Sequence, residues 1–122
     1  MDSTVFAGAR IHLLHKYDRP YYVGIDDVCD ASSENAEQFL RLAAELVEFS
    51  AVKIIRGESA LLEPSVQHKK LRDKATHVIE EWDFPRSKQV RKLVDTLAAS
   101  CLQKTLEPNA PLGAGANAYG IL

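Results

Sequence analysis

A chain of 122 residues with 46% hydrophobic and 26% charged residues has the composition of one packed globular domain, which argues against disorder. Its net charge of -2 hides a segregation: residues 64–104 carry nine Lys/Arg against five Asp/Glu, the remainder six against twelve. No apolar run approaches the roughly 20 residues that a membrane-spanning helix needs, and the two cysteines, Cys29 and Cys101, form no Cys-x-x-Cys pair and follow no secretory leader. Those features predict a soluble, cytoplasmic protein with no membrane partner, held in a reducing compartment.

Asp2 and Ser3 supply capping side chains for a first helix, in which Phe6, Ala9, Leu13, Leu14 and Tyr17 recur at helical spacing. It ends before Arg19-Pro20, because proline fixes its own φ and biases the preceding residue away from the helical region. Tyr21, Tyr22 and Val23 then read as a short extended stretch, and a short helix follows from Ile25 to about Ala31.

Ser32 and Ser33 offer capping hydroxyls to the next helix, Glu34 suits its positive first turn, and Ala36, Phe39, Leu40, Ala43 and Val47 form its apolar stripe. Glu37 precedes Arg41 by four residues, the favourable order for an exposed ion pair. The segment from Ala51 to Arg56 alternates and is rich in β-branched residues, so a strand is an alternative there. Gly57-Glu58-Ser59 closes the unit.

Pro64 fits the first position of a helix running to Asp83, with Leu71, Ala75, Val78, Ile79 and Trp82 on one face. Phe84-Pro85 stops it, and Ser87 caps a last long helix with the stripe Val90, Leu93, Val94, Leu97, Ala98, Cys101 and Leu102. These two helices are expected to pack as a hairpin, with Trp82 buried against the second. Two prolines, three glycines and two asparagines between Pro108 and Leu122 predict loop, with at most a short strand near Ala118 to Ile121.

No motif commits the chain to catalysis. Gly113 to Ala118 matches the dinucleotide fingerprint Gly-x-Gly-x-x-Gly/Ala as a string, yet that chemistry needs a strand before it and a helix after it, so that helix-start amides face the pyrophosphate. Only four residues remain. His12 and His15 stand about one helical turn apart without a third metal ligand, and nine residues separate His68 from His77, which turns them to opposite sides of a helix. The pairs Asp26-Asp27 and Glu80-Glu81 diverge on a helix surface, and neither cysteine has an activating neighbour. Asp26 and Asp27 fit instead a role at a positive helix start. The chain is therefore read as no enzyme, with no metal and no cofactor.

The basic residues are the functional clue. His68, Lys69, Lys70, Arg72 and Lys74 crowd the first half of one helix; Arg86, Lys88, Arg91 and Lys92 surround the start of the next. Cations beside a helix N-terminus suit phosphate, and a solvated polar face is the plain alternative. Ile25 to Ala31, the Ser32-Ser33 turn and the following helix have the order of a helix-turn-helix with Ala51 to Arg56 as a wing, but Glu34, Glu37, Glu45 and Glu48 on the would-be recognition helix repel phosphate.

The run His15-Lys16-Tyr17-Asp18-Arg19-Pro20-Tyr21-Tyr22, then Ala31-Ser32-Ser33-Glu34-Asn35-Ala36-Glu37-Gln38-Phe39-Leu40-Arg41-Leu42-Ala43, resembles the region after the nucleotide-binding core of large bacterial ATPases similar to origin-recognition AAA+ proteins. Pro108-Asn109-Ala110-Pro111 and Asn117-Ala118-Tyr119-Gly120-Ile121 look like the same family. The resemblance implies a lid-like first lobe and a winged-helix-like second lobe, in a fragment or free-standing relative of the regulatory end of such an ATPase. It departs from the family in having no Gly-x-x-x-x-Gly-Lys-Ser/Thr loop to cradle ATP, and Glu37 stands where a lid commonly places an arginine, so no sensor role is carried over.

These readings combine into an all-α or nearly all-α fold of two helical lobes, 1–57 and 58–122, the second basic and with a loop-rich tail. The leading function is a non-catalytic regulatory module of an AAA+-type ATPase that binds nucleic acid through Lys69, Lys70, Arg86, Lys88, Arg91 and Lys92. Its other partners are the ATPase core or another protein subunit. The alternative is a protein-interaction or oligomerisation module, including a homo-oligomer, without nucleic acid.

Overall fold

The computed structural model describes residues 3–107, and within them every regular element is an α-helix: α1 Ser3–Lys16, α2 Gly24–Ala31, α3 Ala36–Ile55, α4 Pro64–Glu80 and α5 Ser87–Thr105. The cap expected of Asp2, and everything expected of 108–122, lie outside the described residues. By their contacts the described residues form two units, 18–81 holding α2, α3 and α4, and 3–17 with 82–107 holding α1 and α5. No helix among the described residues is long and apolar enough to cross a membrane.

In the unit of α2, α3 and α4, both α2 and α4 pack on α3. Val28, Leu42 and Leu71, one from each helix, are its buried core, with Tyr22, Phe39 and Leu46 packed against them. Gly57, where the sequence suggests a boundary between lobes, lies inside this unit between α3 and α4. The expected hairpin partners α4 and α5 fall in different units.

The segment Ala51 to Arg56, where a strand is the alternative reading, continues α3 as helix to Ile55, with Arg56 as the C-cap. A lone β-branched segment has no partner strand here to take its backbone groups, whereas continuing α3 satisfies them within the helix. The stop is a Schellman motif: Gly57 at φ 76 donates its N–H to the Ile54 carbonyl at 2.9 Å, and Glu58 donates to Lys53, also at 2.9 Å. That left-handed geometry is what the glycine is needed for.

The start of α3 also differs from expectation. Ser32 closes α2 instead, its buried hydroxyl donating to the Cys29 carbonyl at 2.6 Å. Asn35 caps α3, accepting from the Gln38 N–H at 3.1 Å, while Ser33 and Glu34 bridge the helices at φ 50 and 61. The apolar face of α3 is rotated as well: Leu42 is buried, but Leu40 and Val47, expected in the stripe, are exposed. Only the side touched by α2 and α4 can be covered, and that side runs through Phe39, Leu42 and Leu46.

In the other unit the expected stripes are not enclosed. Phe6, Leu13 and Tyr17 of the α1 segment are exposed, and no residue of α5 is fully buried. Helix α4 stops at Glu80, short of Trp82, which is half-buried and packs on Phe84 with ring centroids 5.8 Å apart. Ser87 is the first residue of α5 and not its cap. Arg86 takes the N-cap position with left-handed φ 66 and ψ 20, where no side chain caps the helix. Pro85 cannot continue a helical ladder from α4, so the chain reverses in a turn closed by Ser87 N–H to the Phe84 carbonyl at 2.9 Å.

Candidate nucleic-acid interface

The six basic residues singled out in the sequence divide between the two units and differ in what they touch. On α4, exposed Lys69 forms an ion pair with Asp73 one turn on. Lys70 Nζ sits over the Phe49 ring at 4.5 Å from its centroid, a cation–π contact. Their neighbour Lys74 reaches Glu45 of α3 at 3.8 Å. Lys69, Lys70 and Lys74 of α4 are thus already engaged within their own unit.

At the start of α5 the pattern is different. Arg86, Lys88 and Lys92 are exposed and have no ion-pair partner among the described residues, while Arg91 is half-buried. At 100° per residue Lys88 and Lys92 lie about 40° apart, on the side of α5 opposite Val90, Leu97 and Cys101. The N-terminus of a helix adds its own partial positive charge, although here the Ser87 N–H is taken by the Phe84 carbonyl and the Gln89 and Val90 N–H groups by that of Arg86. Left-handed Arg86 turns the chain into that first turn, so exposed Arg86 and Lys88 flank the helix start and Lys92 follows one turn further on the same side as Lys88.

The α4 unit also contains a cluster that the sequence did not reveal. His68 accepts the backbone N–H groups of Tyr21 and Tyr22 at Nδ1, both at 3.4 Å, and packs against their rings with centroids 4.5 and 5.5 Å away. Beside it Gln67 accepts from the Gly24 N–H at 3.0 Å and donates to the Leu62 carbonyl at 2.7 Å. These two side chains take the place of a strand partner for the extended stretch before α2. Burial, helped by the Arg72 charge, lowers the His68 pKa, and burial raises that of Tyr22. An acceptor role at Nδ1 places the imidazole proton on Nε2. The only sequence signal was an aromatic pair next to Pro20, which specifies no partner 46 residues on.

An open cleft of about 370 Å³ beside this cluster is lined by Asp18, Pro20, Ser65, His68, Lys69, Arg72, Asp73 and Thr76. Its two carboxylates oppose its cations, so it is a mixed-charge surface and not a concentrated anion site. A second hollow, between Cys29 and Phe39, contains the left-handed Ser33-Glu34 turn and an exposed Cys29, which the sequence placed on an apolar face. Among the described residues no three His, Cys, Asp or Glu side chains converge to hold a metal ion. The Asp27 carboxylate accepts from the Val23 N–H at 3.0 Å, steadying the entry to α2, and the Glu37–Arg41 pair forms at 2.6 Å. No family model, curated protein or solved structure matches the chain.

Proposed function

We propose that the chain is a non-catalytic regulatory module of an AAA+-type ATPase that contacts nucleic-acid phosphate through the start of α5. The observation that carries this reading is the contrast between the two basic helices. Arg86, Lys88 and Lys92 are exposed without ion-pair partners among the described residues, whereas Lys69, Lys70 and Lys74 are held by Asp73, Phe49 and Glu45. Free cations beside the partial positive charge of a helix start attract a phosphate through their charge. The link to an ATPase rests on the sequence resemblance described above; without a phosphate-binding loop, the nucleotide chemistry belongs to another part of such a machine.

Recognition of this kind reads the backbone and not the bases, so binding is weak and tolerant of sequence. With three or four phosphates engaged, log affinity falls against log salt with a slope near -3, at about -0.9 per phosphate on duplex DNA. Fluorescence anisotropy with a labelled duplex at low salt measures it. Reversal of Lys88 and Lys92 to Glu is expected to abolish binding, and reversal of Lys69 and Lys70 to weaken it only slightly. No binding by the native chain, or equal binding by the Lys88 and Lys92 reversal, rejects this reading.

A further inference from the structure

The longest helix, α3, carries an exposed apolar stripe that α2 and α4, the other helices of its unit, do not cover. Leu40 is 65% exposed, Val47 66%, Ile54 58% and Ile55 84%, and Ala36, Ala44 and Ala51 between them are exposed too. At 100° per residue Ala36, Leu40, Ala44, Val47, Ala51 and Ile54 fall within about 40° of the Leu40 direction, a straight seam about 30 Å long. The buried face through Leu42 and Leu46 points more than 100° away. Large and small side chains alternate along the seam, and its outer flank carries Glu37, Arg41 and Glu48.

We infer that α3 pairs antiparallel with α3 of a second copy of this chain, about a two-fold axis passing between residues 45 and 46. In that register Leu40 lies opposite Ala51 of the second copy, Val47 opposite Ala44, and Ile55 opposite Ala36, each contact occurring twice by symmetry. Leu40, Val47 and Ile55 each meet an alanine, which lets the two backbones approach closely there, while Ile54 falls opposite Glu37 of the second copy. Arg41 comes within two residues, about 3 Å along the axis, of Glu48 of the second copy. Glu37 already holds the Arg41 guanidinium on this flank at 2.6 Å, and a guanidinium has donors to spare for a second carboxylate. A parallel pairing in register would instead carry the two Glu37–Arg41–Glu48 flanks to opposite sides of the contact, where Arg41 and Glu48 could not meet. The antiparallel arrangement also opposes the two helix dipoles favourably.

One helix pair is a small interface, so the dimer is weak and concentration-dependent, with dissociation on the order of tens of micromolar. Sedimentation equilibrium of the full chain without nucleic acid, across that concentration range, tests it. The native chain is expected to shift from monomer to dimer. Arg41→Glu alone and Glu48→Arg alone each place like charges across the axis and weaken association at least about tenfold. The double variant Arg41→Glu with Glu48→Arg restores it. Within one chain these positions stand about 10 Å apart along the helix, so the recovery cannot arise inside a monomer. Because all these side chains are exposed, melting curves should differ little among the variants. A native chain that stays monomeric, a double variant as weak as the singles, or a Val47→Asp variant that dimerises like the native chain overturns the inference. DNA binding by the start of α5 is measured separately and does not depend on this result.

Discussion

Four described residues hold left-handed conformations without being glycine, Asp18, Ser33, Glu34 and Arg86, and all lie in the connections between helices. Arg86 and Glu34 have φ of 66 and 61. A left-handed non-glycine residue costs about 1 kcal/mol, a strain that serves function when the residue itself is needed. For Arg86 the need is its charge beside the start of α5. Arg86→Gly is therefore expected to raise stability by about 1 kcal/mol in denaturant melts while lowering DNA affinity. An affinity equal to that of the native chain would show that Arg86 contacts no phosphate. His68 makes a different kind of prediction, because its neutral form is the one that accepts from Tyr21 and Tyr22. Its pKa in the folded chain lies below the ordinary value, lowered by burial and by Arg72. Its contribution to stability is thus complete above the unfolded value of about 6.5 and is lost as pH falls through the folded value. His68→Gln keeps an acceptor that does not titrate. Thermal melts between about pH 8 and pH 5 should show a shallower decline in this variant than in the native chain; identical declines would remove His68 from the account.

At the scale of elements, what was legible in the sequence followed local rules. Pro64 at the first position of α4, the stop ahead of Arg19-Pro20 and the Glu37–Arg41 pair all depend on residues within one turn, and all are found. What was not legible depends on which helix lies against which. Periodicity marks a stripe on α3 but not which side α2 and α4 will cover, so Leu40 and Val47 were assigned inward while Leu42 and Leu46 carry the core. The Ala51 to Arg56 segment looked strand-like because β-branching was weighed without the preceding fifteen helical residues of α3 that it extends. The basic candidates show the same limit. Composition groups all six cations together, and only contacts with Asp73 and Phe49 set Lys69 and Lys70 apart from Arg86, Lys88 and Lys92. Leu71 tests the packing: it is 3% exposed on α4 and meets Val28 and Leu42 from the other two helices of its unit. Leu71→Ala should destabilise by about 2–5 kcal/mol, whereas Leu61→Ser, at a position 80% exposed, should change stability by less than about 0.5 kcal/mol. Similar losses from the two, in urea melts, would mean that the core lies elsewhere.

Across the whole molecule, the enclosed core and the proposed phosphate contact belong to different units. Val28, Leu42 and Leu71, the buried apolar side chains among the described residues, all lie within 18–81, whereas α5 has none. Opening a helix exposes to water whatever it buries, so opening α5 costs less free energy than opening α3 or α4. Native-state hydrogen exchange should accordingly find the slowest amides around Leu42 and Leu71, with those of α5 exchanging at least about tenfold faster. A ligand that binds only the closed form of α5 stabilises it by mass action, and at about 100 times its dissociation constant the gain is about 2.7 kcal/mol. Saturating duplex DNA at low salt should then slow exchange along α5 by up to about a hundredfold and leave the amides around Leu42 nearly unchanged. A helix held loosely when free and firmly when bound to phosphate is what a regulatory contact requires, since its population then reports occupancy. If α5 exchanges as slowly as α3 in the free chain, or if DNA slows both helices equally, the proposed division between a stable helical unit and a ligand-ordered basic helix does not hold.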